Sequence, residues 1–258
     1  MNAQARLTWL WHARPLFLLG LLGLLFLVAP AFLGSYALSV LILILYTAYA
    51  GQAWNVMMGF AGQLSLGHAL YVGLGAYTAA ALFVHFDIGP WAGMWAGALV
   101  AAAAGGGIGF LAFRFGISGT YFALLTIAFA EFTRIGFDHF TWVGGSAGYF
   151  LPVAQRTSSD LLNLRGAPAM FYYIMLAMTA LAFGCCKALL SSRIGYYWLA
   201  IREDPDAAQA LGINTFRYKM IAVVISAAMT SFAGVFFKLS AFSGVVPVSN
   251  SYSTTPRE

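Results

Sequence analysis

The chain has 258 residues, of which 61% are hydrophobic and only 8% are charged, so it is not a soluble domain that must cover its surface with polar groups. At about 20 apolar residues per crossing, this length accommodates roughly six to eight membrane-spanning helices joined by short loops. The formal net charge of +5 comes from scattered Lys and Arg residues without a basic cluster, which argues against a nucleic-acid interface.

Apolar segments of membrane-crossing length follow one another along the chain. The sequence therefore predicts an all-α, polytopic transmembrane bundle of about seven spans, with the segments at residues 16–33, 36–58, 66–86, 91–113, 119–137, 168–190 and 218–240. If the N-terminus lies in the cytoplasm, most of the thirteen Lys and Arg residues also fall on the cytoplasmic side, as the positive-inside rule requires.

A glycine-rich break separates the second and third segments. It covers residues 59–68 (GFAGQLSLGH), and no Asp, Glu, Lys or Arg occurs between Pro15 and Phe86. Irregular backbone is tolerated at membrane depth only where protein buries it or where it lines a wet cavity, and such breaks often form transport sites. A short turn at the membrane interface fits the same residues, and the sequence leaves both interpretations open.

The fifth segment carries two ionisable residues. Glu131 and Arg134 are three positions apart, so they share a helix face and can pair. We expect a structural ion pair near the outer helix end, with a role in a translocation path as the alternative. The polar residues 138–167 that follow are expected to form an outside connector, or else a contact for a delivery protein.

The polar segment 191–212 is predicted to be structured rather than a loose loop. Asp204 suits an N-cap, Pro205 the first helical position, and Gly212 the helix end. Asp206 complements the positive end of the helix dipole. Three residues of the resulting two-turn helix are expected to form a small apolar face that fits a partner's groove, namely Ala207, Ala208 and Leu211.

The sequence contains no catalytic or metal-binding pattern. It has no GxSxG, HExxH or clustered Cys, His and Asp residues, and its glycine-rich runs lack the GK[ST] ending of a P-loop. The adjacent Cys185 and Cys186 are interpreted as helix-packing residues. We therefore expect no catalytic residue, metal or cofactor in this chain, and we expect any ATP-driven step to use another subunit.

Several blocks of this sequence resemble the permease subunits of branched-chain amino-acid (LIV-type) ABC importers. The blocks are residues 59–69, 75–78, 119–126, 130–134, 144–146, 192–195, 200–204, 207–208 and 211–213. The segment Asp206 to Gly212 is similar to the E-A-A-x-x-x-G pattern of ABC-permease coupling helices, with Asp in place of Glu. The resemblance covers most of the chain.

The resemblance implies a mechanism and a set of partners. Two permeases would form a path through the bacterial inner membrane for branched-chain or other hydrophobic amino acids. Two ATPase subunits would bind the coupling helices, and a periplasmic solute-binding protein would deliver the substrate. The chain would contact membrane lipid and no nucleic acid. The ATPase contact would lie in a loop at 192–213, with Arg202, Glu203, Asp204, Asp206, Ala207, Ala208, Leu211 and Gly212. Path candidates are Gln63, Ser65, His68, Thr126 and Glu131.

The C-terminus departs from the family pattern. After Gly234 the family usually continues with further spans and a Gly-rich segment, whereas residues 248–258 here are polar and unpatterned. A single permease domain truncated at its C-terminus is therefore expected over residues 1–258. Rival interpretations are a related permease for urea or amides, a passive channel or non-transporting scaffold fragment, and, more distantly, an intramembrane enzyme.

Overall fold

The computed structural model describes residue 23, residues 25–140 and residues 167–242, and every regular element within these ranges is helical. Residues 25–32 form a helical segment. The helices that follow are α1 (Ser35–Asn55), α2 (His68–Phe86), α3 (Pro90–Arg114), α4 (Gly119–His139), α5 (Pro168–Leu190), α6 (Arg193–Glu203), α7 (Pro205–Ala210) and α8 (Thr215–Phe242). The predicted all-α class is confirmed.

Five helical segments in the described ranges are long and apolar enough to cross a membrane. They are Ser35–Phe60, His68–Phe86, Pro90–Arg114, Pro168–Leu190 and Thr215–Phe237, and they correspond to five of the predicted segments. The predicted segment 119–137 also forms a helix, α4, but its charged residues make it less apolar than these five. The predicted segment 16–33 lies largely outside the described residues.

Helices α2, α3 and α8 pack closely because glycine lets their backbones approach. A Cβ placed on Gly75 of α2 would collide with Ser231 of α8, and one placed on Gly234 of α8 would collide with the Val72 carbonyl of α2. Gly97 of α3 lies against Gly75 in the same way. Lipid provides no hydrophobic drive for helix association, so this close van der Waals contact holds the three helices together.

Helices α1 and α5 form a second pair that packs onto the first group. Phe171, Tyr172 and Met175 of α5 are fully buried. The Thr179 hydroxyl of α5 is 3.2 Å from the Leu45 carbonyl of α1. Tyr49 of α1 donates its hydroxyl proton to the Met229 carbonyl of α8 at 2.9 Å. Side-chain bonds to backbone carbonyls thus link α5 to α1, and α1 to α8.

The outer surface of the bundle is apolar. Large aliphatic and aromatic side chains point away from the protein on several helices, including Leu99, Leu124, Leu181, Phe183 and Phe132. A soluble protein of this size rarely exposes so much continuous apolar surface. The same surface suits the hydrocarbon of a bilayer, so the chain is a polytopic helical membrane bundle.

Candidate functional site: the α1–α2 break and helices α6 and α7

Helix α7 has the ends that the sequence predicted. The Asp204 carboxylate accepts hydrogen bonds from the backbone N–H groups of Asp206, at 2.9 Å, and Ala207, at 3.0 Å. Pro205 occupies the first turn. Gly212 follows the helix with a φ of 87°, a left-handed conformation that glycine adopts without steric cost.

The predicted apolar face of α7 does not form as expected. Ala208 is only 2% exposed, because it faces the chain's own interior, whereas Leu211 is 83% exposed. Asp206, Ala207 and Gln209 are also exposed. The outward surface of α7 therefore consists of one large apolar side chain among polar and small residues, and Ala208 attaches the helix to its own chain. Sequence spacing alone did not distinguish the two sides of so short a helix.

Helix α6 holds α7 against the bundle. Its Trp198 is completely buried and donates its indole N–H to the Tyr218 carbonyl of α8 at 2.8 Å. The Trp198 ring also stacks on Phe60, with ring centroids 6.5 Å apart. At the start of α6, the side chain of the N-cap Ser192 accepts from the Gly195 N–H. These contacts fix α6 in place, and α6 in turn positions α7, which follows it directly in the chain.

The end of α6 reaches the break between α1 and α2. Arg202 donates from Nη1 to the Gly59 carbonyl at 2.8 Å, and its Nη2 donates to Glu203 at 2.9 Å. Gly62 has a φ of 68°, and a Cβ at this position would lie 2.8 Å from Cγ of Arg202. The sequence resemblance placed Arg202 in the ATPase contact. It did not predict the bond to Gly59, because the two residues are 143 positions apart in the chain.

The break itself is folded and packed inside the protein. α1 continues into a π-helical turn, Val56–Phe60, a feature that often accompanies functional sites. In the irregular stretch that follows, Gln63 and Ser65 are buried. The indole N–H of Trp54 donates to the Ser65 carbonyl at 2.8 Å. Protein therefore buries these two polar side chains, whereas Leu66 is 58% exposed. The depth of the break in the membrane stays a prediction.

Thr126 of α4 binds the far side of the break. Its hydroxyl accepts a hydrogen bond from the Leu66 N–H at 3.2 Å and donates to the Ala123 carbonyl at 2.8 Å. Gly67 lies against the Thr126 carbonyl so closely that a side chain there would collide with it. The structure thus joins two regions that the sequence had offered separately as path candidates.

Two buried polar atoms at the break have no hydrogen-bond partner among the described residues. They are Oε1 of Gln63 and Nδ1 of His68. Gln63 donates from Nε2 to the Ala61 carbonyl at 2.9 Å. Ser226 Oγ donates to the Ala53 carbonyl, so its 3.0 Å contact with His68 Nε2 makes that nitrogen the donor. His68 Nδ1 is then an acceptor, as is Gln63 Oε1.

Glu131 lies apart from these groups. It forms an ion pair with Arg134, whose Nε is 3.0 Å from Oε2, and Arg134 also binds Asp138 at 3.0 Å. All three side chains are exposed. The predicted pair is confirmed and extends to a third residue. The structure does not bring Glu131 to the Gln63 and His68 acceptors.

Other candidate positions offer little chemistry. Within the described ranges, no three His, Cys, Asp or Glu side chains come together as metal ligands would. Cys186 is buried on α5 with its thiol 3.6 Å from the Gln52 carbonyl, whereas Cys185 is exposed. The 144–146 block, most of the 138–167 stretch and the 248–258 tail lie outside the described residues.

Comparison with known proteins agrees with this helical architecture. Residues 16–255 match the family model described as the branched-chain amino acid transport system / permease component. The chain belongs to this family. Two relatives within it are the high-affinity branched-chain amino acid transport system permease proteins LivM of Escherichia coli K12, 33% identical, and of Salmonella typhimurium LT2, 30% identical.

The similarity to the two LivM permeases extends over 208 residues. Each alignment covers 72% of this chain and 48% of the relative, so the chain spans about half the length of the curated permeases it matches. No solved structure matches the chain. Membership of this permease family, together with the apolar helices, establishes a multi-pass membrane protein.

Proposed function

We propose that this chain is the membrane permease subunit of an ABC importer that carries branched-chain amino acids across the bacterial inner membrane. Separate ATPase subunits would drive transport by docking on α7, within the coupling loop at 192–213. A second permease subunit and a periplasmic solute-binding protein would complete the importer. One observation carries the proposal: α7 is capped at both ends, attached through Ala208 and α6, and exposed on its outer side.

The distribution of charge supports a cytoplasmic location for α7. Within the described side chains, six basic residues lie at the end of the bundle that carries α6 and α7. They are Arg114, Lys187, Arg193, Arg202, Arg217 and Lys219. The opposite end carries Asp87, Glu131, Arg134 and Asp138. The positive-inside rule then orients α7 toward the ATPase compartment and supports a cytoplasmic N-terminus.

The translocation path is proposed to pass beside the break. Gln63, Ser65, His68 and Thr126 lie in or against it, and two of them present acceptor atoms that have no partner among the described residues. Acceptors of this kind suit the ammonium group of an amino acid, which has only hydrogen-bond donors to offer. Glu131, which is paired and exposed elsewhere on α4, is not included in this path.

Leu211 is the residue for a decisive test. It is 83% exposed, so Leu211→Asp adds a charge to the docking surface without disturbing the chain's own packing. Ala208→Asp would bury a charge instead and is unsuitable. We expect Leu211→Asp to weaken co-purification of LIV-type ATPase subunits at least about tenfold, or about 1.4 kcal/mol, and Leu211→Met to retain it.

Both variants should express in the membrane at the level of the wild type, which is the control for folding. Equal ATPase recovery with wild type, Leu211→Asp and Leu211→Met would contradict docking at α7. A wild-type chain that recovers no ATPase would contradict the importer assignment as a whole and favour a channel or scaffold.

A further inference from the structure

The side chain of Arg202 points toward the break rather than away from the bundle. Its Nη1 reaches the Gly59 carbonyl at 2.8 Å, and its Nη2 and Nε bind Glu203 at 2.9 Å and 3.3 Å. Gly59 belongs to the last turn of a π-helical segment, where the partial negative charge of a helix end favours a cation. The planar guanidinium therefore bridges the end of α6 and the end of α1.

The stem of Arg202 is also fixed against the break. Gly62 packs on it with a left-handed φ of 68°, and a Cβ there would lie 2.8 Å from the arginine Cγ and 3.2 Å from its Cα. Because the two backbones touch, a displacement of the end of α6 displaces residues 59–62 as well. Glycine at position 62 is required both by its φ and by this proximity.

The opposite end of the break is attached to α4 and α1. Thr126 accepts the Leu66 N–H, and Trp54 donates to the Ser65 carbonyl. Residues 63–65 therefore lie between one anchor on α6 and others on α4 and α1. Gln63, whose Oε1 has no hydrogen-bond partner in the described part of the chain, lies in this span.

Arg202 is separated from α7 by two positions only. Glu203 ends α6, and Asp204 caps α7. A force applied to α7 thus reaches Arg202 through only the two residues, Glu203 and Asp204, that join α6 to α7. We propose that Arg202 is a positioning residue that transmits movement of α7 to the α1–α2 break, rather than an ATPase contact. The inference rests on the proposed importer function.

The test compares Arg202→Gln with Arg114→Gln, which removes the same charge from the exposed last residue of α3, at the same end of the bundle but outside the coupling loop. Each chain is assembled with its ATPase subunits and second permease in vesicles and supplied with binding protein and leucine. For Arg202→Gln we expect ATPase co-purification within twofold of wild type, uptake at least about tenfold lower, and at least about fivefold more ATP hydrolysed per leucine transported. Arg114→Gln should match wild type.

Two further variants are compared at equal amounts of assembled complex, so that coupling is measured apart from instability. Gly62→Ala should raise the ratio of ATP hydrolysed to leucine transported in the same way, because its side chain would displace Arg202. Arg202→Lys, which keeps a cation near the Gly59 carbonyl, should restore part of the uptake. A merely structural role would lower the yield of complex and leave this ratio unchanged, which would overturn the proposal.

The remaining outcomes also distinguish the two proposals. Loss of ATPase co-purification in Arg202→Gln would show that Arg202 is a docking residue, which overturns the relay but retains the importer. A wild-type chain that binds no ATPase overturns the importer, and the relay with it.

Discussion

Gln63 and His68 each present a buried acceptor atom without a partner in the described parts of the chain. A buried polar atom left unpaired costs about 1 to 3 kcal/mol, so each of these two atoms calls for a hydrogen-bond donor such as a water molecule or a bound solute. Both atoms lie at the break, where Ser65 and Thr126 organise the backbone through further hydrogen bonds. Binding of a donor-rich substrate group would satisfy them.

Replacement of Gln63 by leucine tests this interpretation. Gln63→Leu removes the unpaired Oε1 and also the 2.9 Å bond to the Ala61 carbonyl, so the two effects on stability oppose each other. We expect the unfolding temperature in detergent to change little, corresponding to about 1 kcal/mol or less, while leucine uptake falls at least about fivefold. Unchanged uptake with unchanged stability would remove Gln63 from the path.

At the scale of elements, glycine decides how closely helices approach. Gly234 of α8 lies against the Val72 carbonyl of α2. A Cβ on Gly73, next along α2, would meet no described atom within 4 Å beyond its own stretch of helix. The first glycine therefore allows contact between two helices, and the second has no such role. Alanine at Gly234 and alanine at Gly73 therefore add the same methyl group in two different surroundings, one against another helix and one not.

We expect Gly234→Ala to destabilise the bundle by about 1 to 3 kcal/mol, because the added methyl group forces α2 and α8 apart. Gly73→Ala should be neutral or stabilising by up to about 1 kcal/mol, because alanine favours the helix. The measurement is the temperature at which half of each detergent-solubilised variant aggregates. Equal loss in both variants would show that the α2–α8 contact does not limit stability.

The helices and caps were predictable because their signals are local. Apolar length marked α1, α2, α3 and α5, and Asp204 with Gly212 marked the ends of α7. The contact of Arg202 with the break joins residues far apart in the sequence, so no periodic pattern in the sequence predicts it. The burial of Ala208 depends on where α7 packs, which its six residues do not encode.

At the scale of the whole molecule, charge separates the two ends of the bundle. The end with α6 and α7 has six basic and three acidic residues among the described side chains, the acidic ones being Glu203, Asp204 and Asp206. The opposite end has one basic and three acidic residues. By the positive-inside rule, we expect this excess of basic residues to orient the bundle with α6 and α7 in the cytoplasm.

Cysteine labelling tests the orientation. In a background of Cys185→Ser and Cys186→Ala, we expect Gln209→Cys on α7 to react with a membrane-impermeant maleimide only after the cells are permeabilised. Phe86→Cys, at the other end of the bundle and 64% exposed in the native chain, should react in intact cells. The reverse pattern would place α7 outside and exclude an ATPase partner there.

The bond between Gly59 and Arg202 also sets an order of events during synthesis. A ribosome adding about 5 to 20 residues per second needs roughly 7 to 29 s to make the 143 residues that separate them. During that interval α1 and α2 are already available for insertion, but the anchor from α6 does not yet exist. Before Arg202 is made, the break can already form its bonds to Trp54 and then to Thr126, but not its bond to α6.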